Sequence, residues 1–218
     1  ALVMCTWKRL RRMPHILNML EAQSSQTFDF FIWNNSPETD LLKGNLRDTS
    51  FDLTVRNSKT NVGGIGRFHF SRELWRSYPK IIFLDDDQDI APNFVSQMQG
   101  HYQDNSIVSN WGWLLHGSYL KRTRVVDMTT ADYCGTGGMI LDASVFANDC
   151  IFDIPEGFQF IEDLWLSYVA KYELGFSLYG CAVSLTPVHD GHNQYPRLMA
   201  KKEALYSFLI QKYGLVKG

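Results

Sequence analysis

Lys80-Ile81-Ile82-Phe83-Leu84-Asp85-Asp86-Asp87 decides the fold: an apolar run that ends abruptly in three carboxylates. Such a run has the character of a fully buried strand, and the charges mark the point where it emerges at the rim of a sheet. In extended backbone alternate side chains share a side, so Asp85 and Asp87 are expected to point the same way. Like charges this close repel one another. A hard divalent ion with oxygen ligands relieves the repulsion, and magnesium or manganese held by one or two carboxylates shares its remaining positions with substrate phosphates. A solvated acidic turn is the plain alternative. A calcium loop fails on its own pattern: Asp85, Asp87 and Asp89 match the first ligand positions of an EF-hand, but Ile90 stands where glycine is required and Ser96 where the bidentate glutamate belongs.

Working back from this strand, Arg67 to Tyr78 reads as a helix, entered through Gly63-Gly64-Ile65-Gly66. Phe51 to Arg56 and Phe28 to Trp33 read as strands, the second stopped by the turn formers Asn34-Asn35-Ser36-Pro37. Arg11 to Gln23 places Met13, Ile16, Leu17 and Leu20 at helical spacing, and Ala1 to Thr6 is a short buried strand. Alternating strands and helices predict a mostly parallel sheet covered on both faces, with ligands beyond the carboxyl ends of the strands. Thr6 to Arg9, Asn34-Asn35 and Asp85 to Asp87 are therefore expected on one rim. Forward of the acidic cluster, Ile107 to Leu115 and Gly138 to Leu141 read as strands, and Glu162 to Tyr172 and Leu198 to Tyr213 as helices.

With 218 residues, 45% hydrophobic and 20% charged, the chain is expected to fold as one domain. Two halves are expected, residues 1–90 and 91–218; a start inside a strand is compatible with a module of a longer protein. The formal net charge of -2 offers no general field for polyanions, and nucleic acid is not expected as a partner. Four scattered cysteines without a C-x-x-C pair suit reduced thiols in the cytoplasm, and no stretch approaches the length of a membrane span.

At this point the chain resembles the GT-A glycosyltransferases, particularly the family-two-like enzymes. Thr6-Trp7-Lys8-Arg9 resembles their opening loop, Asn34-Asn35 stands at the end of the second strand where an aspartate commonly contacts the base, and Asn61-Val62-Gly63-Gly64-Ile65-Gly66-Arg67 looks like their N-x-G-G segment. Asp85-Asp86-Asp87 takes the place of the D-x-D motif. The resemblance implies a GT-A fold and a metal-dependent transferase of a sugar from a nucleotide diphosphate, preferably a uridine one, to a carbohydrate hydroxyl, with residues 1–90 as the nucleotide-binding half and 91–218 as the acceptor and donor-sugar half. It also implies roles. Thr6, Trp7, Lys8, Arg9, Asn34, Asn61, Gly64, Arg67, Asp85 and Asp86 would meet the nucleotide or donor, and Asp85 and Asp87 the Mn2+ or Mg2+ ion.

Cys134-Gly135-Thr136-Gly137-Gly138 precedes an apolar strand, and such glycine density suggests close approach of a ligand or another backbone. In the similar enzymes this region borders the sugar, which makes Asp132, Gly137 and Gly138 donor-sugar candidates. Glu162-Asp163 opens a helix, where the dipole favours carboxylates, so a simple cap would explain the pair. It also resembles the family's E-D motif, which makes Asp163 the candidate base and Glu162 its catalytic neighbour. Val188-His189-Asp190-Gly191-His192 lies in a turn, and by the same resemblance His189 would complete the metal shell, with His192 or Asp190 as substitutes. Trp111 and Trp113 are assigned to the core rather than to a sugar platform.

Two rival functions remain open. A sugar-phosphate nucleotidyltransferase also pairs a parallel sheet with aspartate-held metal, but wants a glycine-rich basic loop after the first strand, and Thr6-Trp7-Lys8-Arg9 has no glycine. A non-catalytic carbohydrate- or metal-binding module leaves unexplained why an acidic triad follows a buried strand in an alternating chain.

Overall fold

The computed structural model describes residues 1–38, 46, 48–192 and 195–215. Strands β1 (Leu2–Thr6), β2 (Phe30–Asn34), β3 (Leu53–Asn57) and β4 (Lys80–Asp85) pair in parallel, in the spatial order β3-β2-β1-β4. Helices α1 (Met13–Glu21) and α2 (Gly66–Leu74) cross over between them. The register sets Thr6 against Asn34 and Cys5 against Asp85, so three segments far apart in sequence end side by side.

Beyond β4 come β5 (Gln88–Ile90), α3 (Phe94–His101), β6 (Ser106–Ser109), β7 (Gly112–Ser118), β8 (Lys121–Val125), β9 (Thr129–Thr130) and β10 (Tyr133–Cys134). They are followed by β11 (Met139–Asp142), α4 (Glu162–Tyr172), β12 (Ser177–Gly180), β13 (Leu185–Pro187) and α5 (Tyr195–Lys212). The main sheet has eight strands in the order β3-β2-β1-β4-β11-β6-β12-β9; a second sheet joins β10-β7-β8 and a third β13-β5.

β11 departs from the parallel pattern, running antiparallel to both β4 and β6. Its start therefore lies at the rim where β4 ends, and the Gly138 amide donates to the Phe83 carbonyl at 3.0 Å. The predicted strand from Ile107 to Leu115 is in fact two. Ser109 accepts from the Trp111 amide through its hydroxyl and the Asn110 amide turns to the Gly138 carbonyl, so the chain leaves the main sheet after β6 and enters the second as β7. The predicted helix to Tyr78 ends at Leu74, where the Ser77 and Tyr78 amides close a turn on the Leu74 carbonyl.

Alternation along the strands feeds two cores, as the two-residue period requires. Val3, Ile81, Phe83, Met139 and Leu141 pack with residues of α2, α4 and α5, while Leu2, Met4, Ile82, Leu84 and Ile140 pack with Met13, Ile16, Leu17 and Leu20 of α1 and with α3. Burying each such side chain contributes roughly 1.5–3 kcal/mol, and truncating one forfeits contacts on one side of the sheet only. No helix among the described residues is long and apolar enough to cross a membrane. The cysteines are all free.

Candidate active site

A cleft of about 320 Å³ opens where β1, β2 and β4 end. Its walls include Thr6, Trp7, Arg9, Asn35, Asn61, Gly64, Arg67, Asp85, Asp86, Asp87, Glu162 and Asp163. Most of the residues singled out from the sequence thus share one cavity.

The acidic cluster is a turn, not extended backbone, because β5 starts at Gln88. Asp86 points back into the fold: one oxygen accepts from the Thr6 hydroxyl at 2.9 Å and the Trp7 amide at 3.0 Å, and the other from Arg9 at 3.0 Å. Its burial raises its pKa despite those donors. Asp85 and Asp87 keep side chains 29% and 30% exposed, facing the cleft. Asp87 is pushed up to about 7, first by burial and then by the neighbouring Asp85 and Asp86 charges. Two arginines offset part of this negative field. Arg67 donates to Asp85 at 2.7 Å, and Arg9 lies 3.4 Å from Asp87 while gripping Asp190 through two nitrogens at 2.7 and 2.9 Å.

These donors suit a hard divalent ion: two carboxylates on one side of a turn, oxygen only, with an open side toward the cleft. Among the described residues no three His, Cys, Asp or Glu side chains enclose an ion, so the remaining positions would fall to phosphate oxygens and water. His189 is the residue expected to complete this set. It is exposed and lies outside the cleft, whereas His192 lines it. The cause is the pairing of β13 with β5, which delivers the turn after Pro187 to the acidic cluster, and the Arg9 grip on Asp190, which fixes how that turn faces. The Val188 amide donates to the Asp87 carbonyl at 2.7 Å.

Asn34, Lys8, Asp132 and Gly138 also lie outside the cleft wall. Asn34 is fully buried, accepting from the Ser36 amide and donating to Asn57, and so shapes the strand end. Asn35 lines the cleft in its place; its carbonyl oxygen accepts from the Val62 amide and its nitrogen donates to the Gly63 carbonyl, tying β2 to the glycine segment. Lys8, at φ 62, turns away and lays its ammonium over the Trp7 ring. Asp132 pairs with Lys171 and accepts from the Leu115 amide, joining α4 to β7. Gly138, also at positive φ, packs against Leu185, Asn110 and Phe94. Gly137 does meet the acidic cluster: a Cβ there would sit 2.6 Å from Asp85 Oδ2.

Glu162 and Asp163 sit on opposite sides of a protonation divide. Glu162, buried against the Gly64 backbone and 3.8 Å from Arg67, is raised to about 7, by burial above all. Asp163 is somewhat less sequestered, and burial alone would raise it, yet Lys202 at 2.7 Å and the Tyr133 hydroxyl bring it below the usual carboxylate range. Lys202 and Tyr133 did not stand out in the sequence. The signal for Lys202 was present: it falls with Leu205, Tyr206 and Leu209 on the buried stripe of α5, where an unpaired lysine has no place. Tyr133 carries no comparable mark, because a tyrosine in an apolar segment reads as core. At the cleft mouth, Phe160 and Tyr195 remain 44% and 37% exposed.

No family model and no curated protein sequence matches the chain. Solved structures do. Residues 1–349 of S. aureus TarS in complex with UDP-GlcNAc superpose with a TM-score of 0.64 at 14% identity, over 99% of this chain and 67% of that one. The longer S. aureus TarS structure gives 0.55 at 16% identity over 97% of this chain and 42% of that one. GalNAc-T7 with UDP, GalNAc and Mn2+ gives 0.62 at 13% identity over 86% and 43%. The chain therefore spans about two thirds of the first structure and less than half of the other two. What 13 to 16% identity carries is the architecture: this chain has the mixed α/β fold, built on a large and mostly parallel sheet, of these glycosyltransferase structures.

Proposed function

We propose that the protein is a GT-A glycosyltransferase that transfers a sugar from a nucleotide diphosphate, preferably a uridine one, to a carbohydrate hydroxyl. One observation carries the reading: the Asp85–Asp87 turn, two arginines and the Glu162-Asp163 pair face a single cleft at the carboxyl ends of parallel strands. That is where open α/β sheets bind ligands. The neighbours with UDP-GlcNAc or with UDP and Mn2+ support the donor class.

In this reading Thr6, Trp7, Asn35 and Asn61 border the nucleotide, and Arg9 and Arg67 carry positive charge toward the diphosphate. Asp85 and Asp87 would hold a manganese or magnesium ion, which supplies Lewis-acid neutralisation of the leaving charge. Asp163 is the general base. It takes the proton from the acceptor hydroxyl as the oxygen's electron pair forms the bond to the anomeric carbon; the anomeric C–O bond breaks and its pair leaves with the diphosphate. A single displacement of this kind inverts the anomeric configuration. Glu162 borders the same pocket, where its proton state sets how much negative charge surrounds Arg67.

Calorimetric titration of UDP-sugars with and without manganese, on the native chain and on Asp87→Ala, tests the reading. Binding that requires the ion and is lost in the variant supports it. Binding indifferent to both rules out the metal-bridged donor, and donor turnover separates a transferase from a binding module.

A further inference from the structure

We propose that Lys202, delivered by the C-terminal helix α5, is the positioning residue that holds Asp163 ionised and oriented for proton abstraction. The inference rests on the assignment of Asp163 as base. Lys202 Nζ lies 2.7 Å from Asp163 Oδ2 and 3.0 Å from the Tyr133 hydroxyl oxygen, and the Tyr133 O–H donates to the same Oδ2. One carboxylate oxygen is thus fastened by two donors, and the other accepts from the adjacent Leu164 amide at 2.8 Å.

The surroundings make the lysine necessary. Side-chain exposure is 6% for Lys202 and 13% for Asp163, so neither charge is stabilised by bulk water. A carboxyl so buried without a cation takes up a proton and cannot act as a base near neutral pH. Among the described residues, Glu162 adjoins Asp163 on α4, Tyr133 comes from β10, and Tyr119 of the β7–β8 turn and Tyr195 of α5 flank Lys202; Arg122 of β8 lies behind Tyr119 and Tyr195, and Arg67 stands behind Glu162 and pairs with Asp85. Lys202 is a cation at hydrogen-bond distance, and its charge is the chief effect that reverses the burial-driven elevation of Asp163.

A structural role alone would not need this arrangement. Buried ion pairs are weak contributors to stability, and apolar side chains of similar volume often replace them without loss. This pair instead stands in the cleft wall, where both residues border whatever enters. The helix that carries Lys202 also brings Tyr195 and Leu198 to the same wall, so docking of α5 assembles the base and the cleft mouth together.

The test compares wild type, Lys202→Met, Lys202→Arg and Tyr133→Phe by carbon NMR titration of the Asp163 carboxyl, assigned with Asp163→Asn, and by the pH profile of UDP release from UDP-GlcNAc with manganese. In Lys202→Met the Asp163 midpoint is expected to rise by at least about one pH unit, with the acid limb of the profile moving by the same amount and UDP affinity staying within about twofold. Lys202→Arg restores both, and Tyr133→Phe gives a smaller shift in the same direction, which carries the test if Lys202→Met does not fold. An unmoved Asp163 midpoint in the folded variants overturns the proposal, as does a loss of UDP binding in step with turnover. If wild type neither binds UDP nor consumes UDP-GlcNAc while the NMR midpoint still depends on Lys202, it is the donor assignment that fails and the hold of Lys202 on Asp163 that stands.

Discussion

The carboxylate of Glu162 occupies the space a side chain on Gly64 would need: a Cβ built on Gly64 falls 1.7 Å from Glu162 Oε1. The N-terminus of α4 is thereby seated on the glycine segment before α2, and the two halves of the cleft meet at this contact. Gly64→Ala is expected to push the glutamate off Arg67 and to destabilise the fold by about 1–3 kcal/mol, the usual range for overpacking. Urea denaturation measures the cost. A variant as stable as wild type, with unchanged UDP affinity, would show that the contact is dispensable.

The same glutamate gives the stability a pH dependence. Its carboxyl is raised from an ordinary 4.5 to about 7 in the folded state, by burial first. Between those values the folded chain binds the proton that the unfolded chain releases, so the stability due to this group is complete below pH 4.5 and is lost as pH rises through about 7. Glu162→Gln removes that loss, so between pH 5 and pH 8 wild type should lose roughly 2 kcal/mol more stability than the variant. Denaturant midpoints at the two pH values are the measurement. Parallel pH trends in the two proteins would contradict it.

How much of this was legible beforehand follows from where the information lies. The rim at Thr6, Asn34 and Asp85 could be read from the chain because each strand announces itself with a local apolar run and stops at turn formers or charges. The antiparallel insertion of β11 was not, since strand direction depends on pairing between segments and leaves no mark in either one. Which histidine of the 188–192 turn lines the cleft depends on tertiary contacts such as the grip of Arg9 on Asp190, 181 positions away, which the turn itself does not announce. Asn34 and Asn35 pose the same difficulty one residue apart: Asn34 is the last residue of β2 and Asn35 the first beyond it, so a single step along the chain exchanges the buried turn-former for the one that lines the cleft. Tyr133 reaches Asp163 because β10 is sewn to α4 through Ser167, whose hydroxyl accepts from the Cys134 amide, and neither segment names the other.

The acidic turn predicts a division of labour among its three carboxylates. Asp86 is already committed to Thr6, Trp7 and Arg9, so Asp86→Asn should cost stability more than ion affinity. Asp87 faces the cleft with little compensation beyond Arg9 at 3.4 Å, so Asp87→Asn should weaken manganese-dependent UDP binding at least about tenfold and leave the fold intact. Removing the ion with a chelator should reproduce the Asp87→Asn phenotype in wild type. Calorimetry and thermal melts on the same preparations distinguish the two aspartates, and equal effects of both substitutions on both readouts would refute the division.

Arg9 ties the turn after β13 to the opposite side of the cleft, and the tie has its own pH signature. Asp190 is held down at about 2, first by its bond to Arg9 and against a small opposing effect of burial. A depressed folded pKa means that the tie is fully present above the ordinary 3.8 of a free aspartate and fails as pH falls toward 2. The consequence is local, because Asp190 is partly exposed and the surrounding strands have their own cores. Asp190→Asn should therefore speed hydrogen exchange at the 188–192 amides at neutral pH while the β1, β2 and β4 amides keep wild-type protection. Since Arg9 also neutralises Asp86 and Asp87, its release from Asp190 leaves it free to turn fully to those two carboxylates, and manganese affinity should fall by a few fold as the guanidinium competes for the same oxygens. Exchange rates at 188–192 that do not change on substitution would mean that the pairing of β13 with β5, rather than Arg9, holds the turn in place.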